Sequence, residues 1–411
     1  MRILLFSQWF DPEPTFKGLV FARELVRQGY DVEFITGFPN YPGGVIYPGY
    51  KIKLIQRECI DKVNITRLPL FPSHNNSAIK RVINYVSFAF SALIYGLFIA
   101  KRAHVMYAYH PPLTVGIATS LISWVRDIPL VFDVQDLWPD TLRATGMLRN
   151  KYALAFVGLV CKWVYKRVDY LVVLSPGLMR LLIQRGVPEA KVKMIYNWAN
   201  EAELLAPLFN VSKSFVGQGN FKVVFAGNMG KAQALDSVLD AAVLLQERGS
   251  RAIFVMVGGG VEVERLKVRA KELRLENVVF MPPVPMSEVG ALLALADVLL
   301  VHLRKDPLFE ITIPSKTQAY MLVGKPLLMA VSGDAADLVI RAKCGLTADP
   351  ENPQQLADTV DALAELPVNE LKDMGENGRN FYRKNLSLEV GVSKFASVFQ
   401  FLSRKASRSE Q

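Results

Sequence analysis

The sequence predicts an α/β protein built of two Rossmann-like, doubly wound domains. Short apolar runs typical of buried parallel strands alternate with segments of helical period, and glycines follow several of those runs directly. The same opening, an apolar run, a glycine-bearing loop and then a helix, occurs near residue 3 and again near residue 222. With 411 residues, 51% of them hydrophobic and 21% charged, the chain is long enough for two or three domains with ample cores, and its composition excludes a disordered polymer.

In chain order, strands are expected at 3–7, 32–36, 104–109, 130–134 and 170–174 in the first half. In the second they fall at 222–226, 253–257, 278–281, 298–301 and 327–330. The first strand leads through Asp11, Pro12, Glu13 and Gly18 into a helix at 19–27, stopped by Gly29; the strand to Ala226 leads through Gly227, Asn228 and Gly230 into a helix containing Val238 and Leu239. The expected domains are 1–197 and 198–385, followed by a C-terminal helix at 386–411 able to cross back to the first domain and ending in a frayed tail from about 403. A polar connector is expected at 208–220.

The formal charge of +10 favours an anionic partner. Nucleic acid is not expected, since the sequence has no zinc-finger spacing, no RNP-like aromatic signature and no arginine-rich arm. Residues 82–100 run nineteen positions without a charge, between Lys80-Arg81 and Lys101-Arg102. That length suits a membrane span, but the strands at 2–6 and 129–134 belong to one sheet and a span would part them. Asn84, Ser87 and Ser91 mark one polar edge, which leaves two readings: a helix that packs this edge inward and dips the other into the inner face of the cell membrane, or a wholly internal helix. Cys59, Cys161 and Cys344 lie far apart and are expected as free thiols, and the short apolar start lacks a cleavage site, which points to the cytoplasm.

The segment Glu310 to Gln318 carries the chemistry. Pro314 and Ser315 open a helix whose first amides suit an anion, Lys316 adds a cation, and the carboxylate of Glu310 suits sugar hydroxyls. A reciprocal cap between Ser315 and Gln318 is the ligand-free alternative. Gly258 belongs to a third strand-end glycine cluster, equally readable as a turn, and no GxGxxG with an acidic partner signals a nicotinamide or flavin site.

Together, the stretches at 10–13, 17–18, 36–43, 133–139, 227–233 and 313–316 resemble glycosyltransferase family 4, which has the GT-B fold, and in particular bacterial enzymes of O-antigen, capsule and exopolysaccharide assembly. The resemblance implies two domains facing across a cleft. It makes Lys231, otherwise a solvated loop lysine, the cation at the donor pyrophosphate, supported by Lys316 and its helix start, with Gly18 letting the first domain close over the phosphates. Glu310 matches the first glutamate of the family's E-x7-E pattern; Gln318 takes the second, ribose-binding place. Gly227 and Asn228 fall in the phosphate loop, where many relatives have arginine at the position of Asn228. Asp136 is the candidate that orients or deprotonates the acceptor, or else caps its own turn, and His110 is a second candidate.

The implied reaction retains anomeric configuration. It moves a sugar, by the subgroup an N-acetylated amino or deoxyamino sugar, from a UDP-sugar to an undecaprenyl-diphosphate-linked saccharide, with no metal and no other cofactor. A GT-B epimerase or hydrolase, or a non-catalytic two-lobed sugar-binding protein, is the alternative.

Overall fold

The computed structural model describes residues 1–73, 78–144, 146–205 and 220–409. The chain divides into two compact units, Met1–Leu174 with Leu178–Tyr196 and Gly391–Gln411, and Ser175–Gly177 with Asn197–Val390. Of the connector expected at 208–220, residues 208–219 lie outside the described residues.

Unit 1 holds β1 (Arg2–Phe6), β2 (Asp31–Gly37), β3 (Gln56–Ile60), β4 (Val63–Leu68), β5 (Val105–His110), β6 (Leu130–Val134), β7 (Tyr170–Val173) and β8 (Val192–Met194) in the order β3-β4-β2-β1-β5-β6-β7-β8. Only β3 runs antiparallel, against β4. Unit 2 holds β9 (Phe221–Ala226), β10 (Ala252–Val257), β11 (Val278–Met281), β12 (Val298–His302), β13 (Leu327–Ala330) and β14 (Gly345–Thr347), all parallel, in the order β11-β10-β9-β12-β13-β14. Counted from its first strand, unit 2 has the doubly wound order 3-2-1-4-5-6, and unit 1 repeats it with β3 and β8 added at the edges. The order reverses between β1 and β5 in one sheet and between β9 and β12 in the other. Loops leaving the carboxyl ends of those strands are where such sheets hold ligands.

All ten expected strands are present. Their central members, β5, β6, β10, β12 and β13, are buried along their whole length, as strands covered on both faces must be. The sequence reading missed β3, β4, β8 and β14. β3 is a largely exposed edge strand of mixed polarity, β4 buries the charged Arg67, and β8 and β14 have three residues each.

The apolar stretch forms the helix Ala78–Ile94, which widens into a π turn at Tyr95–Ile99. There Gly96 packs on Ile122, and Arg126 Nη1 donates to the Gly96 carbonyl at 2.6 Å. The polar edge faces protein: Ser87 Oγ accepts from Phe71 N at 2.8 Å, Ser91 Oγ donates to the Pro69 carbonyl at 2.8 Å, and Asn84 Nδ2 donates to the Phe71 carbonyl at 2.7 Å. Val82, Ile83, Val86, Phe90 and Phe98 are exposed on the other side, which overturns the wholly internal reading. The tail expected to fray is helical: the last helix is Leu388–Ser409, because Phe395 and Phe399 pack on Tyr107 of the first sheet.

Candidate active site

In unit 2, the loop after β9 and the segment after β12 meet at the switch point. Gly227 has φ +129°, and a Cβ there would lie 2.9 Å from Lys316 Cε, so the glycine makes room for the lysine. Lys316 is the second residue of the helix Ser315–Val323, and its ammonium lies 3.3 Å from the centre of the Phe225 ring, with no acidic partner among the described residues. Burial lowers its pKa to about 7. No side chain caps this helix, whose N-cap is Pro314. The Thr317 amide already donates to the Pro314 carbonyl at 2.9 Å, so the opening of the helix is a partly desolvated cation beside the backbone of Ser315 and its own, a geometry suited to an anion.

The reciprocal cap is not formed. Gln318 is buried, and its amide nitrogen, oriented by its surroundings, donates back to the carbonyls of Pro314 and Ser315 at 3.0 and 3.1 Å. A carboxylate could not make those bonds, which gives glutamine at this place a local reason. Tyr320 locks the same helix to the loop: its hydroxyl accepts from Ala226 N at 3.0 Å and lies 3.2 Å from the Ala226 carbonyl.

Gly258 supports the loop from beneath. Its φ is +139° and a Cβ would fall 2.0 Å from the Gly227 carbonyl, while Met229 N donates to the Gly259 carbonyl at 2.7 Å. Asn228 is exposed, with Nδ2 3.4 Å from Gln233 Oε1. Lys231 is exposed in the turn Lys231–Gln233, and its ammonium has no ion-pair partner among the described residues. A cavity of about 240 Å³ adjoins it, lined also by Arg265, Arg304, Asp236 and Glu262. Arg265 is committed to Asp236 and Glu262, and its hydrogen bond, aided by Arg269, holds the Asp236 carboxyl down at about 2. Glu310 is exposed at the end of the short helix Pro307–Glu310.

Two unit 2 residues escaped the sequence reading. The backbone of Gly333, at φ +77°, lies against that of Glu310, where a Cβ would meet the Glu310 carbonyl at 2.1 Å. His302 ends β12, and its Nδ1 lies 2.7 Å from the Gln233 carbonyl, holding the Lys231 turn. A strand-end glycine or histidine is the only sequence signal either left.

In unit 1 the charged groups Asp11, Lys17 and Asp133 are already matched. Gly18 is buried, and a Cβ there would lie 2.1 Å from Asp11 Oδ2, which accepts from Leu19 N at 2.7 Å. The Asp11 carboxylate thus occupies the helix start that a donor phosphate was expected to approach at Gly18. Asp133 is wholly buried, accepts from Lys17, from the Tyr107 hydroxyl at 2.6 Å and from Gln135 Nε2 at 2.6 Å, and so is not free to hold a cation. No group of three potential metal ligands converges among the described residues.

Among the described residues the side chain of Asp136 has no hydrogen-bond partner, and burial raises its pKa. The turn-capping alternative is not realised by that side chain: Trp138 N donates to the Asp136 backbone carbonyl at 3.2 Å instead. His110 is fully buried against Phe132 and Trp138, with neither ring nitrogen bonded, and burial pushes its pKa down to about 3. It is a neutral ring enclosed by aromatic side chains.

The model for a glycosyl transferase 4-like domain matches residues 19–198, and that for glycosyl transferases group 1 matches residues 210–381. The chain belongs to this glycosyltransferase family. It is 26% identical over 307 residues to a probable glycosyltransferase, WbjE, of Pseudomonas aeruginosa, covering 72% of this chain and 74% of the relative. It is also 26% identical over 344 residues to a putative colanic acid biosynthesis glycosyl transferase, WcaI, of Escherichia coli, covering 79% and 82%. Among solved structures, sucrose-phosphate synthase from Thermosynechococcus elongatus superposes with a TM-score of 0.71 at 16% identity, over 98% of each chain. Anabaena HepE in complex with UDP gives 0.68 at 16% identity, over 97% of this chain and 100% of that one. The fold of this glycosyltransferase is GT-B.

Proposed function

We propose that the protein is a retaining glycosyltransferase of surface polysaccharide assembly, taking a sugar from a UDP-sugar and giving it to an undecaprenyl-diphosphate-linked saccharide. The observation that carries the donor half is Lys316: a half-buried ammonium with no acidic partner among the described residues, at a helix start without a side-chain cap, against a glycine that makes room for it. A diphosphate supplies the missing counter-charge. UDP as the nucleotide is supported by HepE, solved with UDP, and the polysaccharide setting by the name of WcaI.

In the reaction, the bond from the anomeric carbon to the phosphate oxygen breaks and a bond from that carbon to the acceptor oxygen forms. The departing diphosphate gains negative charge, which Lys316, the helix amides and Lys231 stabilise, so this chemistry calls for no metal ion. Glu310 accepts hydrogen bonds from donor hydroxyls. Asp136, whose raised pKa makes it a better base than a solvated carboxylate, orients the acceptor hydroxyl and receives its proton. The sugar is an N-acetylated amino or deoxyamino sugar, as in the subgroup the sequence resembles.

The lipid-linked acceptor fits the exposed apolar side of the helix Ala78–Ile94, bracketed by Lys80, Arg81, Lys101 and Arg102. A second helix, Lys151–Arg167, exposes Tyr152, Phe156, Leu159 and Trp163 at helical spacing. Such a surface docks peripherally on the cytoplasmic face of an anionic membrane. The test follows UDP release from a panel of UDP-sugars with and without lipid-linked saccharide. Release that requires the saccharide supports transfer; equal release without it supports a hydrolase and overturns the proposal.

A further inference from the structure

Three aromatic side chains, Trp9 after β1, Tyr41 after β2 and Tyr85 on the helix Ala78–Ile94, come together in unit 1, each partly exposed. The Trp9 and Tyr41 rings are 5.0 Å apart and tilted 36°, and Tyr85 meets Trp9 edge-on at 6.5 Å. Each aromatic is preceded by a buried amide: Gln8, Asn40 and Asn84. These amides form a relay, Gln8 Nε2 donating to Asn84 Oδ1 at 2.5 Å and Asn84 Nδ2 to Asn40 Oδ1 at 3.3 Å. The buried Glu13 carboxylate clasps the same place, accepting from Asn40 N and Tyr41 N at 2.7 Å each and from Phe10 N at 3.2 Å. Two of the sequence stretches, 10–13 and 36–43, are thus bound to one another.

The relay ties together the residues next to three rings that solvent still reaches, although Gln8 Oε1 finds no partner among the described residues. Of the charges nearby, Asp11 caps its helix and Arg67 is held by Glu58 and the Asp11 carbonyl, while Arg81 acts on Tyr85. What the three rings present to solvent is aromatic surface. That chemistry suits a sugar ring, whose C–H face stacks on an aromatic.

We propose that Trp9, Tyr41 and Tyr85 form the platform that binds the acceptor saccharide. This rests on the transferase reading above and deepens it. Tyr85 stands on the helix that also exposes Val82, Val86 and Phe90, so one helix presents both an apolar surface for the lipid and an aromatic one for the sugar attached to it.

The test is saturation-transfer NMR of the full chain, held at saturating UDP, against free glucose, galactose, rhamnose, N-acetylglucosamine and N-acetylgalactosamine. At least one sugar is expected to receive signal from the wild type. Trp9→Ala and Tyr85→Ala are each expected to weaken that binding about tenfold, while Tyr85→Phe keeps most of it. Calorimetric UDP affinity and the thermal midpoint of each variant report on the donor site and the fold. No sugar bound by the wild type, or equal binding in well-folded Trp9→Ala and Tyr85→Ala, overturns the platform. Failure of the wild type to bind UDP at all would instead strike at the donor reading, so the two failures are distinguishable.

Discussion

The two units share a strand order but fill its switch point in opposite ways. In unit 1 the lysine next to the loop glycine, Lys17, is buried against Asp133, the Asp11 carboxylate takes the helix start, and Glu13 collects backbone amides. In unit 2 the switch point leaves Lys316 without a carboxylate partner among the described residues and its helix without a side-chain cap. Internal neutralisation leaves unit 1 with aromatic rings to offer a ligand, whereas unit 2 offers positive charge. One architecture becomes a site for an uncharged molecule or for an anion according to whether its own side chains already balance the charge.

The sharpest way to break that contrast is to make the same substitution at both lysines. Lys17→Met strands the Asp133 carboxylate in the core and is expected to destabilise unit 1 by about 3–5 kcal/mol, with Asp133→Asn in the same chain restoring part of the loss in denaturant melts. Lys316→Met removes an ammonium that burial disfavours, so the ligand-free protein is expected to melt at the same temperature or higher. Its UDP affinity should fall by about 1.5–3 kcal/mol, the usual strength of a charged hydrogen bond. Loss of stability at both positions would mean that Lys316 has an internal partner after all.

Next in size is the glycine beneath the donor loop. Gly258→Ala forces a Cβ against the Gly227 carbonyl and should lower both thermal midpoint and UDP affinity, whereas Gly43→Ala, in open space in unit 1, should leave UDP affinity unchanged. The smallest expected effect is at Asp236. Its depressed carboxyl contributes stability above the unfolded value near 3.8 that is lost as pH falls toward 2; being partly solvated, Asp236→Asn should cost no more than about 1 kcal/mol at pH 7, read from denaturant melts.

The strands of both sheets were legible because a run buried on both faces can only be apolar, and Gly227 and Lys316 were legible because a strand end, a glycine and a helix start lie close in sequence. The hairpin of β3 and β4 was not, since its exposed edge is polar and its buried Arg67 depends on Glu58 and distant carbonyls. Gly333, His302 and Tyr320 act across loops far apart in the chain, where local spacing carries no signal. Gly18 illustrates the reverse: its position was read correctly as a glycine before a helix, but the carboxylate of Asp11, seven residues earlier, had already taken the place assigned to a phosphate.

The most direct test of the central claim is calorimetric titration of UDP into the wild type and Lys316→Met at pH 6.5 and 8.5. Because the Lys316 pKa stands near 7 without ligand, the wild type should bind more weakly at the higher pH, where the ammonium has lost its proton. The variant should bind weakly at both, with that pH dependence gone. Equal affinity in the two proteins, or the same pH dependence in both, would contradict the account.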